Sequence, residues 1–529
     1  MARASECKEW WKTLPHRAVS LPACKQRHMP TTFSYLSSAL LVCTIVPFAA
    51  AQLPDHRYEF IPLEETTEYK TLHLEWSEDA ANDRYMVHME KPVTGKGSDQ
   101  FHLYLYSRET GTMVSKLNFG EDWAKGRGFD DILFLNDRLY VTSEDVNYKT
   151  GKVDFVAQEF ALPELALKGE PITFATINFN PKGLTWDRRR SETFLESPDG
   201  EHIVFYYDRI KTQENEQLVL LFMMDGNMQP VSQNAYRIPY ESDKIVTAGV
   251  EVNNNGIVYA LMTSKFKNRP ITNKEINYSY ELVGMSGETM VSKPIEFPEG
   301  YTALKANLVL NGDAPRVGGF FVEPDQSIKE TAGHFILDLD EQLAGVGELV
   351  THRYPSPLDY QLMRTDLLQR ADGGCYLIGG SWEVSATAIQ EKLLVVNSIS
   401  ADGTNEWTTR IPRRLKTNDI YEDHGYMTML TKDKLMVLMP DDEDNLPRYR
   451  SGEEPKLMTA TKRVLITVGF SDTGKAEFAS FEDKGPFKAY SGNFLTTANV
   501  NRDSQVCLAR KTDGKKSELW GFLYLNFKD

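Results

Sequence analysis

Beyond residue 51 the chain is written in short runs of β-branched, aromatic and aliphatic residues, separated by Gly, Asp, Asn and Pro. Some runs alternate apolar with polar positions, as a strand with one face in a core does. Others, such as LVLLFMM (218–224) and KLLVVN (392–397), are apolar throughout and suit strands buried on both faces. No segment of useful length keeps the apolar spacing of an amphipathic helix, so the pattern predicts an all-β chain. The strands group in fours. FHLYLYSRETGTMVSKLNF (101–119) and YELVGMSGETMVSKPIEF (280–297) share Thr-Met-Val-Ser-Lys around a turn, a self-similarity that points to an internal repeat.

With that unit as a ruler, first strands are expected to begin near Lys70, Phe129, Ser191, Lys244, Lys305, Leu367, Met427 and Leu495, a spacing of roughly sixty residues. The fourth unit is representative: KIVTAGVEV, an Asn-Asn-Asn-Gly hairpin, IVYALMTS, a long loop, SYELVGMS, a Gly-Glu turn and MVSKPIEF. Four meandering strands per unit make a propeller blade. The last unit, LTTANVNRD, QVCLARKT and ELWGFLYLNF, stops after three strands, while YEFIPLEE (58–65) precedes the first unit without a partner. The expected fold class is all-β: an eight-bladed β-propeller of four-stranded antiparallel blades, one domain over residues 52–529, its ring closed by the N-terminal strand completing the last blade. Closure of that kind removes exposed sheet edges.

Residues 1–51 stand apart. The stretch SYLSSALLVCTIVPFAAA (34–51) is too short and interrupted for a spanning helix, follows Lys25, Arg27 and His28, and ends in Ala49-Ala50-Ala51. It reads as a signal peptide cleaved before Gln52, which makes the protein secreted or periplasmic with no transmembrane segment after leader removal. Lipid anchoring at Cys43 is not expected, because Val42 stands where that site wants a small residue. The leader carries six Lys/Arg and two Asp/Glu, so its loss takes the formal net charge from −16 to −20. An acidic chain without a long basic run is not built for phosphate backbones, and nucleic acid is excluded as a partner. Only Cys375 and Cys507 remain, each in an apolar run, where they read as core residues and not as a redox pair. A monomer is expected.

Two turns carry a resemblance to known propellers. Ser197-Pro198-Asp199-Gly200 resembles the turn found in blades of TolB-like and prolyl-oligopeptidase-type propellers, a match over one blade of eight. A peptidase of that family would imply a hydrolase domain, yet the chain has no Gly-x-Ser-x-Gly elbow and no residues left over for one. Ala401-Asp402-Gly403-Thr404-Asn405-Glu406-Trp407 resembles the outer-strand turn of quinoprotein dehydrogenases, but occurs once and lacks that pattern's Gly. With nucleotide loops, Cys-x-x-Cys and His-Glu-x-x-His also missing from the sequence, no cofactor is expected.

In a propeller, the loops from second to third strand and from fourth strand to the next blade gather on one face around the central channel, so candidate chemistry is sought there. Asp419, Tyr421, Glu422, Asp423 and His424 form the densest polar and aromatic cluster, leading into the seventh unit. A carboxylate there could orient the imidazole as a base, although one His without a second His or Cys is weak for zinc. Trp186, Asp187, Arg188 and Arg189 set guanidinium forks, which suit carboxylate, sulfate or phosphate, beside an indole. Asp122 and Trp123, Trp382 and Glu383, and Arg448 and Tyr449 are expected on the same face. The acidic run 441–445 lacks the glycine-containing spacing of a calcium loop and reads as a solvated tip, so no metal is expected. Aromatic and charged residues around a channel mouth suit a glycan or a peptide or protein ligand. The reading is an exported binding or scaffold protein, the alternative a carbohydrate-active enzyme using Asp/Glu acid and base groups.

Overall fold

The structure, a computed structural model, describes residues 56–527 apart from 63–73, 83, 93–100, 108–111, 120–126, 148, 179–191, 212–215, 242–243, 266–277, 299–300, 325, 328, 346, 348, 382, 385–388, 418–424, 432–433, 459–462, 481–488, 502–503 and 513–517. The chain divides into Met1–Ala50, which lies outside the described residues, and Ala51–Asp529.

Eight antiparallel sheets follow one another along the second unit. Their first strands are Leu74–Ala81, Arg127–Leu135, Glu192–Glu196, Ile245–Val252, Thr302–Asn311, Leu362–Gln369, Met427–Thr431 and Ala489–Asn501. Each starts within a few residues of the expected position. Seven sheets have four strands, and the sixth gains a fifth, the two-residue Glu383–Val384, which pairs with Ile389–Ile399 just beyond Cys375–Ser381. The first seven are meanders. In the eighth, Ala489–Asn501, Ser504–Thr512 and Glu518–Phe527 are joined by His56–Pro62, antiparallel to Glu518–Phe527 from His56 opposite Phe527 to Pro62 opposite Gly521.

Turn chemistry decides where each meander folds back. In the Ser197-Pro198-Asp199-Gly200 turn, the Ser197 N–H donates to His202 O at 2.9 Å and the Gly200 N–H to Ser197 O at 2.8 Å. Asp199 Oδ1 accepts from Ser197 Oγ at 2.6 Å, and Gly200 takes φ 74°, which a side chain would strain. Asn253–Ile257 and Ser400–Thr404 close their hairpins the same way, with Asn253 Oδ1 or Asp402 Oδ1 accepting the backbone N–H groups. The likeness of 197–200 to propeller turns thus reflects a tight hairpin that this chain repeats, six residues long at 197–202 and five at 253–257 and 400–404.

These turns join first to second or third to fourth strands, so a meander brings them all to one end of the sheets, where they staple each sheet to the next. Asn82 Nδ2 donates to Asp137 Oδ1 (3.2 Å), Arg138 Nη1 to Asn227 Oδ1 (2.6 Å), and the Asp199 N–H to Asn254 Oδ1 (3.0 Å). The Asn254 N–H donates to Asp313 Oδ1 (3.1 Å), Gln369 Nε2 to Asn311 Oδ1 (3.0 Å), and Thr409 Oγ1 to Gly474 O. Together they link the first seven sheets in order.

The core is divided in the same way. Six hydrophobic clusters each span two consecutive sheets, from the first pair through to the sixth and seventh. Phe155, Phe174, Phe205, Tyr207 and Phe222 fill the gap between the second and third, with Phe155 and Phe205 centroids 4.9 Å apart. Among the described residues, second and third strands such as Ala314–Val322, Thr331–Asp338 and Cys375–Ser381 bury nearly every residue. Close approach needs glycine where an aromatic ring of the neighbouring sheet abuts the strand. A Cβ on Gly379 would come within 2.7 Å of the Phe320 ring.

Between the fifth and sixth sheets the staple is a buried cation. Arg316, fully buried, grips Asp338 bidentately (Nε to Oδ1 2.6 Å, Nη2 to Oδ2 2.9 Å) and donates to Gly373 O (2.7 Å) across the sheet boundary. Cys375 beside it is buried and free, its thiol pushed up to about 11 by burial. Arg316→Leu leaves the carbonyl of Gly373 and one carboxylate short of donors and is expected to cost about 3 kcal/mol in urea unfolding, with Arg316→Lys losing less. An unmoved midpoint in both variants would remove this ion pair from the account.

Candidate functional site

The end of the sheets opposite the tight turns carries the longer connections, and there a groove of about 680 Å3 opens at the sixth sheet. One wall is the segment 356–360 leaving the fifth sheet, the floor is formed by 390–393 and 410–416 of the sixth, and Glu454 and Leu457 from the seventh make the other wall. Its volume is in the range of small-ligand sites.

The floor owes its chemistry to a β-bulge. In the pairing of Ile389–Ile399 with Asn405–Thr417, Glu391 stands opposite Leu415 and Leu393 opposite Pro412, so Arg413 and Arg414 share the place facing Lys392. Arg413 turns inward and is buried, ion-paired with Glu391 and donating to Gly425 O (3.1 Å) and Pro440 O (2.9 Å). Glu391 also accepts from the Gly425 N–H. The outward positions are Arg410, Arg414 and Lys416. Arg410 is braced by Ser356 O (3.0 Å) and lies over the Tyr354 ring at 5.4 Å. Arg414 and Lys416 are exposed and have no carboxylate partner among the described residues. Lys392, at the rim, is paired with Glu383 at 2.7 Å and sits 5.3 Å over the Tyr360 ring.

Of the residues singled out from the sequence, Asp122, Trp123, Trp186, Asp187, Arg188, Arg189, Trp382, Asp419, Tyr421, Glu422, Asp423 and His424 lie outside the described residues. Glu383 stands beside the groove through its pair with Lys392. Arg448 and Tyr449 fall on α1 (Asn445–Ser451), a one-to-two-turn helix closed by Gly452 in the left-handed region, whose N–H reaches Tyr449 O. Tyr449 does not offer its ring to a ligand: it is 7% exposed, stacks on Phe478 at 4.8 Å and donates its hydroxyl to Asp441. Arg448 is held by Glu453 (3.1 Å) and by Glu454 O (2.6 Å).

The acidic run 441–445 is likewise not a solvated tip. Asp441 and Asp442 are buried, and Asp441 Oδ1 accepts from Asn445 Nδ2 at 2.6 Å and from the Asp442 N–H at 2.7 Å. The run builds the turn that starts α1. Among the described residues no three His, Cys, Asp or Glu side chains are arranged to hold a metal ion, and no helix is long and apolar enough to cross a membrane.

Carboxyls raised by burial lie elsewhere, three of them on first strands and Glu281 on a third strand. Burial pushes Glu251 up to about 7 and raises Glu196 and Asp366 as well, Asp366 against the opposing pull of Arg364 and a hydrogen bond from Thr428 (3.2 Å). Sequence offered no signal for these, because a single acid in an apolar run looks like an outward-facing residue. His334, its ring tilted against that of its cross-strand neighbour His352 at 5.0 Å, is held neutral by burial with its pKa lowered to about 3.

No protein-family model matches the chain, and no curated protein matches it. Solved structures do resemble it weakly. The WD40 domain of SCAP from fission yeast is 8% identical over 89% of this chain and 94% of that one, with a TM-score of 0.42. Porphyromonas gingivalis dipeptidyl peptidase 4 is 9% identical over 87% of this chain and 61% of that one (TM-score 0.41). The β-propeller domain of the Trilobed protease from Pyrococcus furiosus is 7% identical over 78% of this chain and 96% of that one (TM-score 0.35). The chain is an all-β protein of serial antiparallel sheets with propeller proteins among its structural neighbours, and no activity or partner of theirs carries over.

The Glu251 carboxyl gives a signed pH dependence. Its raised folded pKa means that the unfolded chain releases this proton first, so stability falls as pH rises from 4.5 through about 7. Glu251→Gln is expected to unfold about 2 kcal/mol harder than the parent at pH 8 and to match it at pH 4 in urea titrations. A gain that is equal at both pH values would contradict the burial of this group.

Proposed function

We propose that this chain is an exported binding scaffold: an eight-bladed β-propeller, closed by His56–Pro62, that holds an anionic ligand on the long-loop side. The leader reading of residues 1–51 supports export, and the pairing of His56–Pro62 with Glu518–Phe527 supports closure. The observation that carries the binding reading is the groove at the sixth sheet, where Arg410, Arg414 and Lys416 face outward and outnumber Asp359 and Glu454 of its walls, in a chain of net charge −16. An island of positive charge in an acidic surface steers anions to one place. Glu391, the carboxylate on the floor, is committed to Arg413 and the Gly425 N–H, which favours a rigid binding surface over an acid or base poised for turnover.

The test is retention on sulfated-dextran resin at low salt. The parent is expected to bind and to elute as salt rises, and the double variant Arg414→Glu/Lys416→Glu to flow through with unchanged thermal unfolding. Equal retention of both proteins would refute the groove as the anion site. Export is read separately, from the first residue of the protein recovered outside the cytoplasm: Gln52 is expected, and recovery of the chain with its leader intact would overturn the leader reading.

A further inference from the structure

The groove's walls narrow the kind of anion that fits. Recognition of an acidic peptide in extended form works chiefly by adding a strand to a sheet edge, which requires backbone N–H donors along the floor and walls. Here Pro412 on the floor and Pro357 on the wall have no N–H, and the carbonyl of Arg414 is already taken by the Met458 N–H at 2.8 Å. The backbone edge is therefore blunted against a fourth-strand partner. What remains available is side-chain chemistry: a guanidinium fork and an ammonium, two residues apart on the outward side of one strand, beside apolar surface from Leu457, which is 49% exposed, and the half-buried Tyr360 ring.

Cations set beside the exposed Leu457 side chain and the Tyr360 ring, one face of which carries Lys392, in a groove of about 680 Å3, suit a short chain whose rings present C–H faces and whose substituents are anionic. We infer that the ligand of the sixth-sheet groove is an acidic oligosaccharide, bearing carboxylate or sulfate groups, bound through Arg414 and Lys416. This rests on the anion-binding reading above and specifies its ligand class. The guanidinium of Arg414 meets a carboxylate or sulfate in the two-pronged geometry, and Lys416 meets the next anionic group as a point charge. The backbone that carries Arg414 is fixed before the ligand arrives, because its neighbour in the bulge, Arg413, is locked to Glu391, Gly425 and Pro440 and its own carbonyl accepts the Met458 N–H. Preorganisation of this kind removes part of the ordering cost of binding.

The experiment is calorimetric titration of the full-length protein with three probes: trigalacturonate, maltotriose as the neutral trisaccharide and hexaglutamate as the acidic peptide. Trigalacturonate is expected to bind and be recovered intact, at least about tenfold more tightly than either other probe, and Arg414→Gln/Lys416→Gln to weaken it at least about tenfold. Both side chains are exposed, so the variant is expected to fold as the parent does, and its thermal unfolding checks that. Failure of trigalacturonate to bind, equal binding by hexaglutamate, or binding unaffected by the variant overturns the inference. Sulfated-dextran retention distinguishes the two levels: if it persists in the parent and is lost on charge reversal while trigalacturonate fails, the anion site stands and the oligosaccharide assignment falls.

Discussion

A β-sheet that is apolar on both faces cannot end in water, and every other feature of this protein follows from that constraint. Among the described residues, middle strands such as Ala314–Val322 and Cys375–Ser381 bury nearly every side chain whichever way it points. Each sheet therefore needs one neighbour before it and one after it, and the six hydrophobic clusters meet that need in chain order. These clusters join the first seven sheets, and in the eighth His56–Pro62 pairs antiparallel with Glu518–Phe527.

The same constraint separates the two ends of the sheets. Short hairpins with fixed hydrogen-bonding side chains occupy one end and link sheet to sheet, from Asn82 and Asp137 through to Thr409 and Gly474. That end is committed to stability, and the connections at the other end are free to differ. The groove at the sixth sheet uses this freedom: an extra residue in the outer strand sends Arg413 into the interior to hold the seventh sheet, and leaves Arg414 outside. One local irregularity thus supplies both a buried clamp and an exposed cation.

Much of the fold was legible in the sequence because the repeat states itself several times. Thr-Met-Val-Ser-Lys marks two outer strands, Met113–Phe119 and Thr289–Pro294, and the fourth unit's four runs coincide with the four strands from Ile245 to Pro294. The site was less legible, for reasons that lie in packing. Tyr449 and Asp441 looked like loop residues, but a helix C-cap and a hydroxyl-to-carboxylate contact turn them into core. The basic run Pro412-Arg413-Arg414-Leu415-Lys416 drew no notice as part of a strand, because alternation alone does not say that a bulge sends its cations to opposite sides. The three consecutive arginines that include Arg188 and Arg189 form a stronger pattern in the sequence than cations split by a bulge.

Hydrogen exchange of the last strand tests the central claim most directly. If His56–Pro62 completes the eighth sheet, the amides of Glu518–Phe527 that face it are slow to exchange in the full chain and lose that protection when residues 56–62 are deleted. Protection of Glu518–Phe527 that is the same with and without the N-terminal strand would contradict ring closure.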